Sequence, residues 1–595
     1  MLSVEVPIED LEWLLDQGDL VGVSERLREM NAHASGDRQV LLIWARVMML
    51  RGRYVDAKAA YMGVLHNYPH DVQGFLGLAQ LAHEQGDINH ALYWYQRASL
   101  HDRPNAPWVI EWMRLLMRRG DWSRLIDVGD AFRPLSPTHD EVWFLIGCAR
   151  QMLRDYVGAL RAYQFCLKIF PDRPMLRSNV SALYLQMGDP DAAKYWAEES
   201  LADEPDNALA WNHLAIAYLR LGKPHAAESA IERALAIDPD CAAALQTYAH
   251  VCKVFKRWNT AFQAIERAMK VVPNDPSPAW SLATLQLSMG DYERGWVNYE
   301  YRWTAAGKRP WWQDGSTPLW TGQPLDAKTL FLWTEADAGK TLMFTRLVPK
   351  LTEQVKQMGG RVVFGVSPQL HGLIAASVGP CLDDCVAWTP VQSLPTCDFH
   401  LPLGSLPMRL GIRLDDLPVD VSYLKAHPTK TEMLGRSLST RSRRRVGLVW
   451  TDGREHRDGG ADRAIDAAVI EQALREIDDV DFFCWYSRPE GEQKSMRDAG
   501  MELIDVSEQV STIDDIAAFV INLDLVVTAS QSVAHMAGAL GVPTWLLLDM
   551  DPDWVWMMDR NDTPWYPTMR LYRQLEPGNW RSVFECVARD LVEFI

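Results

Sequence analysis

The most regular pattern of hydrophobic and polar positions lies in the first half of the chain. In Ala208–Cys241, apolar residues recur every three or four positions along two successive stretches separated by Gly222. The apolar positions are Trp211, Leu214, Ala215 and Tyr218 in the first stretch, and Ala227, Ile231 and Ala234 in the second. This spacing places them on one side of each stretch. The pattern therefore predicts two antiparallel amphipathic helices.

The same pattern recurs with a step of 34 residues or twice that step. It is visible in the prolines Pro69, Pro137, Pro171, Pro205, Pro239 and Pro273, and in the glycines Gly52, Gly86, Gly120, Gly188 and Gly222, whose series is interrupted once by Arg154. This period and pattern resemble the tetratricopeptide repeat. We expect about nine helix pairs from about residue 4 to about residue 309, stacked into an α-solenoid.

A solenoid of this kind has a concave groove that suits an extended peptide. In the long protein O-GlcNAc transferases, which share this architecture, an asparagine ladder binds the peptide backbone. The corresponding slot here contains Asn179, His213 and Thr247, so these residues are candidates for an acceptor groove with a partial ladder. Alternatively, Asn179 and His213 are solvated helix residues. For the array as a whole, we expect a protein partner.

The helical period stops after Trp303, where glycine, proline and tryptophan become frequent. Lys328–Trp333 is a predicted strand, followed by a loop, a helix over about Thr341–Met358 and a second strand at Arg361–Gly365. A strand–helix–strand order predicts a parallel sheet with a right-handed crossover. We therefore expect an α/β lobe over residues 310–430.

A polar basic segment, Lys430–Arg445, precedes a second α/β run that begins with the strand Val446–Trp450. Further predicted elements of this run are the helix Ala467–Glu476, the strand Asp481–Trp485, the helix Ile513–Ile521 and the helix Trp580–Ile595. The predicted domains are therefore a repeat superhelix over 1–309 and two lobes over 310–430 and 431–595. Ligands of doubly wound sheets bind at the carboxyl ends of the strands, so we expect a cleft there.

The stretch Leu525–Trp545 carries the most specific local signal of the second lobe. Its apolar start predicts a buried strand, and a helix then runs from near Val533 to Gly541, with Ser530 or Ser532 as a possible cap. A helix amino end that follows a parallel strand is a natural site for a phosphate. The candidate phosphate contacts are Ser530, Gln531, Ser532 and His535.

The second half resembles the glycosyltransferase half of bacterial proteins that fuse tetratricopeptide repeats to a heptosyltransferase-like GT-B domain. The matching segments are Thr317–Glu335, Pro395–Pro407, Val446–Trp450, Ser532–Trp545 and Asp553–Gln574. Among such proteins, the alphaproteobacterial flagellin glycosyltransferases are the most similar in length and domain order. The resemblance implies two Rossmann-like lobes in a GT-B fold, with a final helix that returns to the first lobe.

The same resemblance implies a function. It suggests transfer of a sugar, best taken as a nonulosonic acid such as pseudaminic acid, from a nucleotide donor, possibly CMP-linked, to Ser or Thr of flagellin. The donor is a substrate, and no cofactor or metal is expected, since GT-B enzymes generally work without one. Asp551 and Asp553 form only a nominal metal-binding pair. The aromatic residues after them are expected to pack between the lobes.

Two loops depart from the pattern of this family. The family form EQGxGD is replaced by Glu335–Lys340, with lysine in the place of aspartate, and the form DTAVAH is replaced by Ser530–His535. These changes either adapt the site to another sugar nucleotide or indicate a domain without catalysis. A flagellin-binding adaptor or chaperone is therefore the alternative hypothesis. Transfer to a glycan acceptor is disfavoured because a long repeat groove suits peptides.

Glycosyl transfer needs a base for the acceptor hydroxyl and stabilisation of the leaving phosphate. Asp337 and Glu335 are the candidate catalytic bases, although either could simply cap the next helix. Lys340, in the first turn of that helix, is a candidate phosphate ligand, or else a solvated lysine. Trp450 and His456, at and after the end of a strand, are further candidates for the nucleotide-sugar site.

Composition narrows the remaining choices. A net charge of −18 and an isoelectric point near 5.3 argue against a general nucleic-acid binder. The nine cysteines include no CxxC motif, and Cys381, Cys385, Cys397 and His400 lack the usual zinc spacing, so free thiols are predicted. The first residues do not have the pattern of a signal peptide, and no apolar run is long enough to span a membrane. We expect a soluble, cytoplasmic protein.

Overall fold

The structure is a computed structural model of the chain. It describes residues 8–595 except 102–105, 136, 306–311, 313–314, 316, 336, 390–391, 393, 418–421, 439–442, 451–464, 486–495 and 497–499. The chain forms two compact units, Met1–Leu183 and Tyr184–Ile595. The division lies inside the helix Leu176–Met187 and therefore within the repeat array, whereas the sequence placed the first domain boundary at 309/310.

The first half is a series of helix pairs, as predicted. Within the described residues there are nine pairs, and they end at Tyr299, which is followed by a short 3-10 helix, Glu300–Trp303. The pairs are Ile8–Asp16 with Leu20–Glu29, Arg38–Leu50 with Tyr54–Asn67, Val72–Glu84 with Ile88–Ser99, Ala106–Arg119 with Trp122–Phe132, Asp140–Met152 with Tyr156–Ile169, Leu176–Met187 with Pro190–Asp203, Ala208–Arg220 with Pro224–Ile237, Ala242–Val254 with Trp258–Val271, and Ser277–Ser288 with Tyr292–Tyr299.

The turn inside each pair explains the 34-residue glycine series. Gly222 has a φ of 64°, in the left-handed region that glycine adopts at little cost. Arg154 and Lys256 occupy the equivalent turns with φ of 63° and 58°. The small residues Ala193 and Ala227 are fully buried, which allows the two helices of a pair to approach closely.

The first lobe contains a four-stranded parallel sheet. Its strands are β1 (Thr329–Trp333), β2 (Arg361–Val366), β3 (Asp384–Ala387) and β4 (Phe399–Pro402), in the order β3-β2-β1-β4. The predicted single helix after β1 is instead two helices, Ala338–Thr345 and Val348–Gln357. Pro349 lies in the first turn of the second helix, where its lack of an N–H is tolerated, so a new helix starts there.

The second lobe contains a six-stranded parallel sheet. Its strands are β5 (Arg444–Val449), β6 (Val480–Cys484), β7 (Leu503–Asp505), β8 (Leu525–Thr528), β9 (Thr544–Leu548) and β10 (Met569–Arg573), in the order β10-β9-β8-β5-β6-β7. The helices of this lobe include Pro428–Ser437, Ala467–Leu474, Ile513–Val520 and Gln531–Leu540. The basic segment before β5 therefore forms a helix over much of its length. Its Lys430 pairs with Asp515 at 2.7 Å.

The final helix, Trp580–Phe594, corrects an expectation drawn from the family resemblance. Within the described residues, its main contacts are with the helix Ala467–Leu474 and strand β10, both of the second lobe, and not with the first lobe. Val583, Val587 and Leu591 lie on one face of the helix and are buried in the core beside β5 and β8. A helix that has buried its whole apolar stripe on its own lobe has no apolar face left for the other.

The last repeat pair shares one hydrophobic core with both lobes. Trp296, Leu332 and Trp556 belong to the same buried cluster, although they come from the array, the first sheet and the second lobe. Two buried hydrogen bonds reinforce it: Trp296 Nε1 donates to the Ile412 carbonyl at 2.9 Å, and Trp565 Nε1 donates to the Tyr292 hydroxyl at 2.8 Å. The predicted packing of the aromatic stretch between the lobes is confirmed for Trp554, Trp556, Trp565 and Tyr566, whereas Tyr572 lies in the core of the second lobe.

None of the helices in the described part of the chain is long and apolar enough to cross a membrane.

Candidate functional site

Each sheet has a position at which the strand order changes direction. In the first sheet it lies between β1 and β4, and in the second between β5 and β8. Ligands of open α/β sheets bind at the carboxyl ends of strands at such positions. The loops that the sequence singled out, after β1, β5 and β8, are the loops that leave these strands. The strand order and the residue types therefore indicate the same position for the candidate site.

Glu335 follows β1 and is bound on both carboxylate oxygens. Oε1 accepts from Arg302 Nη2 at 2.7 Å and from the Gly404 backbone N–H at 3.0 Å, and Oε2 accepts from Arg302 Nε at 3.0 Å. The guanidinium side chain is only 8% exposed. Burial lowers the pKa of Arg302, but the charges of Glu335 and Glu300 outweigh it and keep the pKa above its ordinary value. Glu335 is thus part of a buried bidentate ion pair that links the array to both switch-point loops of the first sheet.

Asp337 is the second candidate base, and it also has a structural role. Its Oδ1 accepts from the Lys340 backbone N–H at 2.9 Å and caps the helix Ala338–Thr345. The other oxygen lies 3.7 Å from Lys340 Nζ, and the side chain is 53% exposed. Asp337 therefore retains an accessible oxygen that a substrate hydroxyl could reach.

Lys340 makes its closest ion pair with the second lobe. Its Nζ lies 3.1 Å from Asp553 Oδ2, in the loop after β9. Burial lowers the pKa of the ammonium group, but the charges of Asp553 and Asp337 outweigh it and raise the pKa above its ordinary value. The sequence made this lysine a candidate phosphate ligand. In the structure its partner is a carboxylate of the protein.

The helix after β8 begins without a side-chain cap. Ser530 occupies the cap position, but its side chain makes no capping hydrogen bond, and its backbone N–H donates to Thr528 Oγ1 at 2.9 Å. Ser530 is buried, Gln531 is half-buried and Ser532 is exposed. The helix ends at Gly541, whose φ of 79° is left-handed. An uncapped helix amino end at a switch point can accept an external anion.

His535 is turned into the protein and does not face this amino end. Its Nδ1 lies 2.8 Å from the Tyr566 hydroxyl, and its ring stacks on Trp556 with centroids 4.8 Å apart. The residue is 2% exposed. Burial lowers its pKa to about 4, so the imidazole is neutral at physiological pH. This geometry favours a packing role for His535 over direct contact with a phosphate.

The carboxyl edges of the two sheets face each other through these helices. The helix after β1 packs directly on the helix after β8, and a Cβ added to Gly339 would lie 2.8 Å from His535 Cδ2. Deeper in the interface, the Arg346 guanidinium lies over the Tyr423 ring, 4.7 Å from its centroid, and donates to the Trp565 carbonyl. The interface between the lobes is therefore closely packed.

The remaining candidates are distributed as follows. Trp450 directly follows β5 and is 2% exposed in the core of the second lobe. His456 lies outside the described residues. In the array, Asn179 Nδ2 donates to Cys148 Sγ at 3.6 Å, His213 is half-buried, and the Thr247 hydroxyl donates to the Ala243 carbonyl of its own helix at 3.2 Å. Both side chains are thus bound within the array itself, Asn179 to the preceding helix pair and Thr247 to its own helix, and these bonds give no support to a ladder at either position.

Sequence reasoning missed two residues that organise this region, Arg302 and Asp553. Arg302 was read as part of the end of the array, and Asp553 as half of a nominal metal pair. One related sequence signal was Lys340 at a helix amino end, for which a phosphate was the expected partner. Within the described residues, no cluster of three or more metal-ligating side chains is present.

Two surface depressions of the molecule lie elsewhere. One, of about 460 Å³, lies along the helix Val348–Gln357 near Cys381. The other, of about 190 Å³, lies near Arg443 and the first residues of β6. Neither is lined by residues of the opposed carboxyl edges.

Comparison with known proteins identifies the class of the first half. Family profiles for the tetratricopeptide repeat match residues 45–107 and residues 184–251. Both stretches coincide with helix pairs of the array. The chain thus contains tetratricopeptide repeats, which form protein-interaction surfaces.

A more specific similarity covers about half of the chain. The protein is 24% identical over 340 residues to Protein FlbA of Caulobacter vibrioides, a match that covers 52% of this chain and 54% of that protein. The chain thus spans about half the length of this curated relative. Among solved structures, MamA aligns with 28% of this chain and 92% of its own at 20% identity and a TM-score of 0.27. A tetratricopeptide repeat protein from Parabacteroides merdae aligns with 41% and 97% at 16% identity and a TM-score of 0.37.

Proposed function

We propose that the protein is an O-glycosyltransferase with a GT-B fold that modifies Ser or Thr residues of a protein bound by its repeats. The observation that carries the proposal is the pair of parallel sheets whose switch-point loops face each other, one of them leading into an uncapped helix amino end. A nucleotide-sugar has a phosphate for that amino end. The acceptor hydroxyl would approach from the opposite lobe.

The proposed roles of the site residues rest on their charge and on their exposure. The helix Gln531–Leu540 would bind the donor phosphate with its first N–H groups and with Ser532, the exposed residue of its first turn. Asp337 would accept the proton of the acceptor hydroxyl, since its second oxygen is not used in the cap. Lys340 would stabilise the leaving phosphate after exchanging Asp553 for it. Glu335 would support the loop and take no part in the proton transfer.

The acceptor is proposed to be flagellin and the sugar a nonulosonic acid such as pseudaminic acid, on the family resemblance of the second half. The test is to coexpress the chain with flagellin and the enzymes that make the activated sugar, and to weigh intact flagellin. We expect added mass with the natural chain and no added mass with Asp337→Asn. Flagellin of unmodified mass in the complete system would contradict the proposal.

The donor can be tested separately. Binding of CMP, UDP, GDP and ADP to the full chain by calorimetry would define the nucleotide. We expect one nucleotide to bind clearly more tightly than the others. Ser532→Glu, which places a like charge at the exposed first turn, should weaken that nucleotide about tenfold or more. Ser507→Glu, at an N–H that Asp505 already binds, is the matched control.

A second candidate, a non-catalytic adaptor, is favoured by a specific observation. Two of the charged candidates from the sequence are already used inside the protein: Glu335 by Arg302, and Lys340 by Asp553. In an adaptor, the two α/β lobes would serve as a rigid support for the array. This candidate predicts that flagellin binds while none of the four nucleotides does.

A further inference from the structure

A three-residue segment of the second lobe makes ion pairs with two different parts of the chain. Asp551 accepts from His250 Nε2 and from Lys253 Nζ, the latter at 2.8 Å. Asp553, two residues later, pairs with Lys340 of the first lobe at 3.1 Å. One segment thus connects the repeat array to the switch-point loop of the first sheet.

The segment is stiff. Pro552 is buried between the two aspartates, and proline fixes its own φ and restricts the preceding residue to extended conformations. The Asp551 N–H donates to Asp549 Oδ1 at 3.1 Å, and Asp553 Oδ1 accepts from the Val555 N–H at 3.2 Å. A displacement of Asp551 is therefore transmitted to Asp553 and not absorbed between them.

The segment lies on the face of the array formed by the first helices of successive pairs. His250 and Lys253 belong to Ala242–Val254, the first helix of the eighth pair. The turn Trp554–Trp556 packs on Ser277–Ser288, the first helix of the ninth pair. Arrays of this kind bind their partners on an extended concave surface. His250 is 45% exposed, so a protein partner can reach this position.

The charges at this position define the chemistry of such a partner. His250 and Lys253 already bind a carboxylate, and they hold the pKa of Asp551 well below its ordinary value against the effect of burial, which raises it. An acidic side chain of a bound protein can make the same two contacts. It would compete with Asp551 for them.

We propose that Asp551 is a positioning residue that connects partner binding to the candidate site. While Asp551 occupies His250 and Lys253, Asp553 stays on Lys340. When an acidic side chain of the partner replaces Asp551, the segment moves, and Lys340 is released to bind an anion. The proposal rests on the proposed function only for the identity of that anion, the donor phosphate.

The test is hydrogen exchange of the full chain without ligand, followed by mass spectrometry. Lys253→Met and Asp551→Asn should each raise exchange in the helix Ala338–Thr345 about fivefold, because the Lys340–Asp553 pair is weakened. Lys256→Met is the matched control, because Lys256 pairs with Asp559, which lies outside the segment. The control should leave exchange of Ala338–Thr345 unchanged.

A double variant distinguishes coupling between the two ends of the segment from a general loss of stability. When Lys253→Met is added to Lys340→Met, exchange of the helix Ala338–Thr345 should rise by less than about twofold beyond that of Lys340→Met alone. The reason is that the Lys340–Asp553 ion pair is already absent in Lys340→Met. Equal exchange at Ala338–Thr345 in Lys253→Met and Lys256→Met would overturn the proposal. So would a rise that is as large in the helix Trp580–Phe594, since that result assigns Asp551 a general structural role.

Nucleotide binding provides a second test of the proposal. Lys253→Met should tighten whichever of CMP, UDP, GDP and ADP binds by about threefold or more, whereas Lys256→Met should not. If none of the four nucleotides binds the natural chain, the proposed function fails while the exchange experiment still decides the coupling. If one binds and Lys253→Met leaves its affinity unchanged, the coupling fails and the proposed function stands.

Discussion

Each lobe has the same local structure at its opposed edge: a parallel strand, a short loop and a helix. The two helices differ in how their amino ends are capped. After β1, Asp337 caps the helix and Lys340 pairs with Asp553. After β8, the cap position is Ser530, whose side chain makes no capping bond. The first amino end is thus neutralised by the protein itself, and the second has no side-chain cap. One topology can therefore present a capped or an uncapped helix amino end, depending on two or three side chains.

The largest effect should come from removing the ion pair between Glu335 and Arg302. Glu335→Ala removes the bidentate partner of the Arg302 guanidinium, which is 8% exposed and keeps the Glu300 carboxylate at 2.8 Å, so we expect a loss of about 3 kcal/mol in the free energy of unfolding, the low end for a broken buried pair. Urea unfolding followed by tryptophan fluorescence measures it. Glu353→Ala, an exposed glutamate of the same lobe, is the control and should change the free energy by less than about 0.5 kcal/mol. A loss as small as the control's would show that this ion pair does not stabilise the fold.

The buried histidine of the second lobe should make stability depend on pH. Because burial lowers the pKa of His535 to about 4, the unfolded chain binds a proton from about pH 6.5 downward, whereas the folded chain binds it only near pH 4. Its contribution is therefore complete above pH 6.5 and is lost as the pH falls to 4, by about 3 kcal/mol.

His535→Gln should remove most of that pH dependence, in urea unfolding measured at pH 7 and at pH 4.5. His225→Gln, at an exposed position of the array, should leave the dependence unchanged. A pH dependence that is the same in both variants would mean that His535 is not buried in its neutral form. His400, buried in the first lobe with its pKa also lowered to about 4, accounts for part of what remains.

The close packing of the two helices can be tested at Gly339. A Cβ there would lie 2.8 Å from His535 Cδ2, so Gly339→Ala should cost about 2 kcal/mol through overpacking. Gly379→Ala is the matched control, because nothing lies within 4 Å of its added Cβ and its φ is −48°. The control should be neutral or slightly stabilising. Equal melting temperatures for the two variants would argue against contact between the helices.

The smallest effect tests the difference in capping itself. Asp337→Ala should cost about 1 kcal/mol, the usual value of a cap, whereas Ser530→Ala should cost almost nothing because that side chain caps no N–H. Thermal unfolding of the two variants in one buffer gives the comparison. Equal losses would mean that the two amino ends are treated alike.

The sequence predicted the parts of this structure that depend on local pattern. The 34-residue period located nine helix pairs, and apolar runs located β1, β2, β5, β6 and β8 to within two residues. The break before Pro349 was missed because the apolar stripe continues across it. The contact of Lys340 with Asp553 joins residues 213 positions apart. Such a pair depends on how the lobes meet, which no window of the sequence contains.

The final helix shows the limit of resemblance as a guide. A family expectation placed it across the lobes, but Val583, Val587 and Leu591 are buried on its own lobe. The buried roles of Glu335 and His535 were likewise outside local reasoning, because Arg302 and Tyr566 reach them from distant parts of the chain.

The hydrogen bonds of Trp296 and Trp565 bear on how such proteins can diversify. Trp565 Nε1 donates to Tyr292, and Trp296 Nε1 donates to Ile412, so the ninth helix pair cannot be exchanged without the lobes that complete it. A recombination breakpoint near residue 309 would separate these partners and leave large aromatic side chains unpaired on both products. A breakpoint near residue 183, where the compact units divide, would keep them together. The two lobes and the last repeats therefore belong to one compact unit, and the last repeats depend on the lobes for their buried contacts.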